Sequence, residues 1–147
     1  MGFLEKVHIY CFLLSYLGSL GFEVLLLVRK PASFLRTLAI GFAAAGFLAH
    51  TSFLLARSRA AGLPPLLTSQ QDWLLVLAWL GGLLYLILVI YHRQLAHGLF
   101  LLPAMLLLVT AALFASPQAA GTLREVSLRR WGMFHAASLV LGIGAVA

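Results

Sequence analysis

The sequence predicts an all-α membrane protein: a polytopic transmembrane helix bundle of about five spans in a single domain over residues 1–147, with the last span cut short. Three observations predict it. Hydrophobic residues make up 63% of the 147 positions and charged residues only 10%, whereas an ordinary globular chain is about a quarter charged. Mean hydropathy is +1.03. The apolar residues are also gathered into runs close to the roughly 20 residues that a helix needs to cross a hydrocarbon core of about 30 Å. A chain of this length could bury one soluble core, but it lacks the Lys, Glu and Asp needed to coat it, so lipid has to cover its surface.

The first span is expected at about 7–28. It stops at "RKPASFLR", where Pro31 and the basic residues Arg29, Lys30 and Arg36 follow. Glu5 beside Lys6, and the lack of a small-residue cleavage site after the run, mark it as an uncleaved span. The second is expected at about 34–56 and gives way to "RSRAAGLPPLLTSQQD", whose paired prolines disfavour helix before them. The third, about 73–91, opens after Asp72, an acid suited to capping a helix N-terminus. Only "HRQLAHG" separates it from the fourth, about 99–115, so these two form an antiparallel hairpin. After "SPQAAGTLREVSLRR" a fifth run opens at Trp131 and reaches Ala147 after 17 residues without a polar stop. That is roughly 26 Å of helix at 1.5 Å per residue, and the chain reads as an incomplete N-terminal fragment of a longer protein or as a truncated gene product. Small residues recur within the spans, at Gly41 to Gly46, Gly81-Gly82, and Gly142 with Gly144. Such residues let helix backbones approach closely, although glycine is common in membrane helices in any case.

Ten Lys and Arg against four acids give a net charge of +6. Because no basic stripe with interleaved aromatics is present, this balance suits anionic lipid headgroups, and nucleic acid is not an expected partner. Cys11 is the single cysteine, which rules out an intramolecular disulfide and a thiolate metal cluster. With the N-terminus outside, the inward gaps hold Arg29, Lys30, Arg36 and Arg93, and the outward side holds Lys6, Arg57, Arg59, Arg124, Arg129 and Arg130. The plain tally therefore favours an inward N-terminus, although basic density is highest in the short first gap. No HExxH, phosphate-binding loop or nucleophile elbow occurs and the acids are scattered, so an enzyme is not expected. A transporter would need inward-facing charges and broken helices near the midplane, and ranks third among the readings.

Ionisable groups inside apolar spans are costly and are candidates for function. His8 lies at the start of the first span, and His92 and His97 flank Arg93 in a turn, where interfacial imidazoles are unremarkable. Glu23 is close enough to its helix end to reach water or a basic neighbour. His50 lies some six residues inside its span, among Ala49, Phe53 and Leu54. There a neutral imidazole needs a hydrogen-bond partner on a neighbouring helix, a buried water or a ligand, and both a structural and a cofactor role stand open. His135 follows Trp131 by four residues, so the two share one helical face. Trp131 alone reads as an interfacial belt residue. Together they could present an axial nitrogen beside an aromatic plate, as a flat porphyrin would use.

The stretch "HTSFLLARSRAAGLPPLLTSQQDWLLVLAWLGGLLYL", from His50 to Leu86, holds a histidine near a helix end, a basic residue, a proline-containing loop and a polar patch before a tryptophan-bearing helix. In this order it resembles the early region of the CcsA/ResC-type cytochrome c assembly proteins. Gln70, Gln71 and Asp72 stand where that family has its polar patch, and Trp79 matches the helix tryptophan. "HGLFLLPAMLLL" is similar to the next family helix, and "WGMFHAASLVLG" to its "WlxxHV" helix. The resemblance covers most of the chain and implies haem handling: family members present haem at the outer membrane face for attachment to apocytochrome c. It implies an axial iron ligand at His135, a second haem-associated histidine at His50, and an outward N-terminus. The family's "WGxxWxWD" loop has no counterpart before Ala147. The expectation is therefore a membrane subunit, or N-terminal half of one, for haem binding or delivery in a bacterial inner membrane. Its partners would be lipid, haem, another cytochrome c assembly subunit and apocytochrome c. The alternative is a helical membrane scaffold or regulatory protein of related fold without haem.

Overall fold

A computed structural model describes residues 8–28, 33–61, 69–91 and 98–115, together with 131, 132, 135, 138, 139 and 142. The described residues are helical almost throughout, with four continuous helices among them: α1 (Ile9–Val28), α2 (Ser33–Ala61), α3 (Gln70–Tyr91) and α4 (Gly98–Phe114). Helices α1, α2 and α3 are long and apolar enough to cross a membrane, whereas α4 is a shorter apolar helix of 17 residues. At 1.5 Å per residue α4 extends roughly 26 Å, slightly less than the hydrocarbon thickness. Pro103 lies inside it and removes one intrahelical donor. The fifth expected span falls largely outside the described residues. Within it, Trp131, Gly132, His135, Ser138, Leu139 and Gly142 have helical backbone.

Two boundaries differ from the sequence expectation. Helix α2 runs through Arg57, Ser58 and Arg59 to Ala61 instead of ending near residue 56. Arginine is a good helix former, and Arg57 has a partner across the bundle that holds it in the helix. Helix α3 starts at Gln70, not 73, because Ser69 and not Asp72 is its N-cap. The Ser69 hydroxyl donates to Asp72 Oδ2 at 2.8 Å and accepts from the Asp72 backbone N–H at 3.2 Å. Ser69 thus caps the backbone N–H of the third helical residue, and the carboxylate of that same residue accepts from its hydroxyl. Such a cap contributes about 1 kcal/mol.

The helices pack in a closed cycle, α1 against α2, α2 against α3, α3 against α4 and α4 back against α1, with the widest contacts within the pairs α1/α2 and α3/α4. Helix α3 contributes the most buried residues, including Leu75, Val76, Ala78, Tyr85 and Val89. Phe12 and Tyr16 of α1, Ala43 of α2, and Leu102, Met105 and Val109 of α4 complete the core. In lipid, burial of apolar surface does not by itself drive helices together, so close packing and interhelical hydrogen bonds must. Gly46 and Gly82 supply the closeness. A Cβ on Gly46 would lie 3.1 Å from the Tyr16 ring, and one on Gly82 would lie 3.0 Å from its hydroxyl oxygen. The Tyr16 side chain is thus threaded between two glycine surfaces. By contrast, Gly41 faces open space.

Candidate functional site

His50 is fully buried on α2. Phe12 of α1 lies flat against its imidazole, with ring centroids 4.1 Å apart and planes 2° from parallel. Tyr16, one turn further along α1, brings its hydroxyl to 3.4 Å from Nδ1. Nε2 has no hydrogen-bond partner among the described residues. The imidazole of α2 is therefore held by side chains of α1, with one nitrogen engaged and the other without a partner among the described residues. Burying such a group without a full set of bonds is costly.

On the same half of the bundle, α2 and α3 are tied by polar groups. The Thr51 hydroxyl accepts from the Trp79 indole N–H at 2.8 Å. The Trp79 ring also stacks on Phe47 with centroids 5.4 Å apart. Two turns beyond His50, Arg57 pairs through Nε with Asp72 Oδ1 and donates through Nη2 to Gln71 Oε1 at 2.9 Å. Asp72 is 2% exposed, so its charge is held by Arg57 on one oxygen and by the Ser69 hydroxyl on the other.

A second polar group lies at the opposite end. Tyr85 of α3 donates to Glu23 Oε1 of α1 at 2.7 Å, and the Ser19 hydroxyl donates to the Ala39 carbonyl of α2 at 2.8 Å. A Cβ on Gly98 would lie 2.8 Å from Glu23 Cδ, so the first residue of α4 rests directly on this carboxylate. The partner of Glu23 found here is Tyr85 of α3, where the sequence suggested water or a basic neighbour. Negative charge at a helix N-terminus is favourable.

Trp131 and His135 both have helical backbone and exposed side chains, with Trp131 76% exposed. No hydrogen bond, ion pair or ring contact joins His135 to His50 among the described residues. His8 is exposed at the start of α1, while His92 and His97 lie outside the described residues. Among the described residues no three His, Cys, Asp or Glu side chains cluster closely enough to hold a metal ion. Sequence reasoning did not single out Tyr16, Phe12, Thr51 or the pairing of Arg57 with Asp72. The S-x-x-D spacing of Ser69 and Asp72 signals the helix start but not the arginine that meets it.

No protein-family model, curated protein or solved structure matches the chain.

Proposed function

We propose that this chain is a membrane subunit that binds or delivers haem during cytochrome c maturation, in a bacterial inner membrane with its N-terminus outside. One observation carries the reading. Thr51 and Arg57 of α2 and Gln71, Asp72 and Trp79 of α3 lie in the segment that carries the family resemblance. They are joined across one α2/α3 contact beside the buried His50.

The two candidate imidazoles fit haem differently. His135, exposed one turn after exposed Trp131, is an open donor beside an aromatic plate and would hold the iron. His50 has a nitrogen without a partner, as a ligand requires, but its ring is covered by Phe12 and wholly enclosed. It could meet a porphyrin only if α1 moved aside. Bound haem supplies an iron whose potential an axial imidazole tunes. The chain's own residues bind it, orient it and hold it at the outer face for another assembly subunit and apocytochrome c.

The test is optical. Full-length protein purified in detergent from haem-replete cells is expected to show a Soret band that weakens severalfold in His135→Ala. A colourless preparation with intact helicity would overturn the proposal. It would favour a second reading, a non-haem helical scaffold, which is supported by the enclosure of His50 and by the pairing of Arg57 with Asp72 across the helices.

A further inference from the structure

We infer that the bundle carries its own membrane boundaries: the hydrocarbon layer runs from the level of Arg36 and Glu23 to the level of Arg57 and Asp72, and lipid acyl chains cover the helix faces between them. This sets the depth of each residue, which composition and run length leave open.

The two levels follow from the packing. Arg36, in the first turn of α2, and Arg57 are 21 residues apart on one helix, roughly 31 Å at 1.5 Å per residue. A typical hydrocarbon core is about 30 Å thick. Arg57 pairs with Asp72 in the first turn of α3, so these two mark one level. Glu23 belongs to the other. Helices α1 and α2 run in opposite directions, since Phe12 meets His50 while Ser19, further along α1, meets Ala39, earlier in α2. One turn beyond that last contact, Glu23 of α1 is level with Arg36 of α2. Gly98, the first residue of α4, rests on Glu23 and starts that helix at the same height.

Between the levels the surface is that of a protein in hydrocarbon. Among the described residues no Asp, Glu, Lys or Arg lies there. Ser15, Ser19, Thr37, Thr51, Ser52 and Thr110 each donate a hydroxyl proton to a backbone carbonyl, as a medium without hydrogen-bonding partners requires. Leu14 of α1, Leu48 of α2, Ile87 of α3 and Leu107 of α4 are apolar and exposed. A charge in the middle of the layer is costly, whereas one at its edge reaches headgroups and water. His50 then lies seven residues in from Arg57, roughly 10 Å below that boundary. Cys11, next to the Phe12 that stacks on His50, is exposed at the same depth.

The test uses that cysteine. A nitroxide spin label is placed on Cys11 of the full chain in dioleoylphosphatidylcholine vesicles, and on Leu48→Cys, Ser33→Cys and Arg59→Cys in a Cys11→Ser background. Collisions with oxygen, which concentrates in hydrocarbon, are compared with collisions with a water-soluble nickel chelate. Labels at 11 and 48 are expected to meet oxygen freely and nickel severalfold less than labels at 33 and 59. Nickel reaching 11 or 48 as readily as 59, or failing to reach 33 or 59, would overturn the inference. So would labels at 11 and 48 that meet neither collider, because a second protein copy and not lipid would then cover those faces. Should the Cys11→Ser variants fail to fold, the label on native Cys11 decides alone. The measurement needs no haem, so a protein that never takes up haem defeats the functional proposal and leaves this result standing.

Discussion

Arg57 and Asp72 are the residues whose loss the bundle should feel most. Asp72 is almost wholly enclosed, and its charge is tolerable only because a guanidinium and a hydroxyl meet it. Removing one member of a buried ion pair costs about 3–5 kcal/mol, whereas replacing both with apolar groups of similar volume is often close to neutral. Arg57→Met should therefore lower unfolding stability in detergent by about 3 kcal/mol or more. Arg57→Met with Asp72→Leu should recover much of that, apart from about 1 kcal/mol for the lost bond between the Ser69 hydroxyl and the carboxylate. Equal damage in the single and double variants would show that the pair is not coupled. This pairing was only half legible in the sequence. Asp72 was recognised as a capping acid, but its partner lies 15 positions earlier, in a stretch that composition marked as a gap. No local pattern reports which side chain a helix end meets across a bundle.

Among the elements, glycines divide by what they face. Gly82 abuts the Tyr16 hydroxyl, Met105 and Phe47, whereas Gly41 meets nothing within 4 Å. Both lie inside helices, so helix propensity alone would make either Gly→Ala substitution favourable by about 1 kcal/mol. Packing reverses the sign at one of them. Gly82→Ala forces Tyr16 to shift and should destabilise by about 1–3 kcal/mol, while Gly41→Ala should be neutral or slightly stabilising; thermal unfolding of both variants in one detergent checks the contrast. The existence of α1 to α4 could be read from run length and interrupting charge, and each was placed within a few residues except at the end of α2. That end was missed because arginines next to an apolar run look like a stop. Here one of them lies inside the helix with its partner on α3.

At the scale of the whole molecule, the exposed residues are those of a protein surrounded by lipid. Leu14, Leu17 and Val28 of α1, Phe34 and Leu48 of α2, Ile90 of α3, and Phe100 and Leu107 of α4 all point outward. Alkaline carbonate and high salt should leave the protein in the membrane pellet, and a surfactant should release it; a folded monomer recovered from plain buffer would contradict the assignment. The membrane class was legible because composition alone decides which solvent a surface needs. The candidate site was legible only in part. His50 could be found as an ionisable residue in an apolar run, but the aromatic enclosure around it comes from α1, nearly 40 positions earlier, and Tyr16 and Phe12 look like ordinary apolar residues there.

The ties between helices lie at different heights along the bundle. Thr51–Trp79 and Arg57–Asp72 sit toward one end, Tyr85–Glu23 sits toward the other, and Tyr16 is wedged between glycines in the middle. A slip of α2 along its own axis by one turn, about 5.4 Å, would break both ties to α3 at once and drive the tyrosine ring out from beside Gly46. Helices that would otherwise be free to slide past one another in lipid are thereby locked in axial register, and piston-like travel of one helix along its neighbour is closed to this bundle.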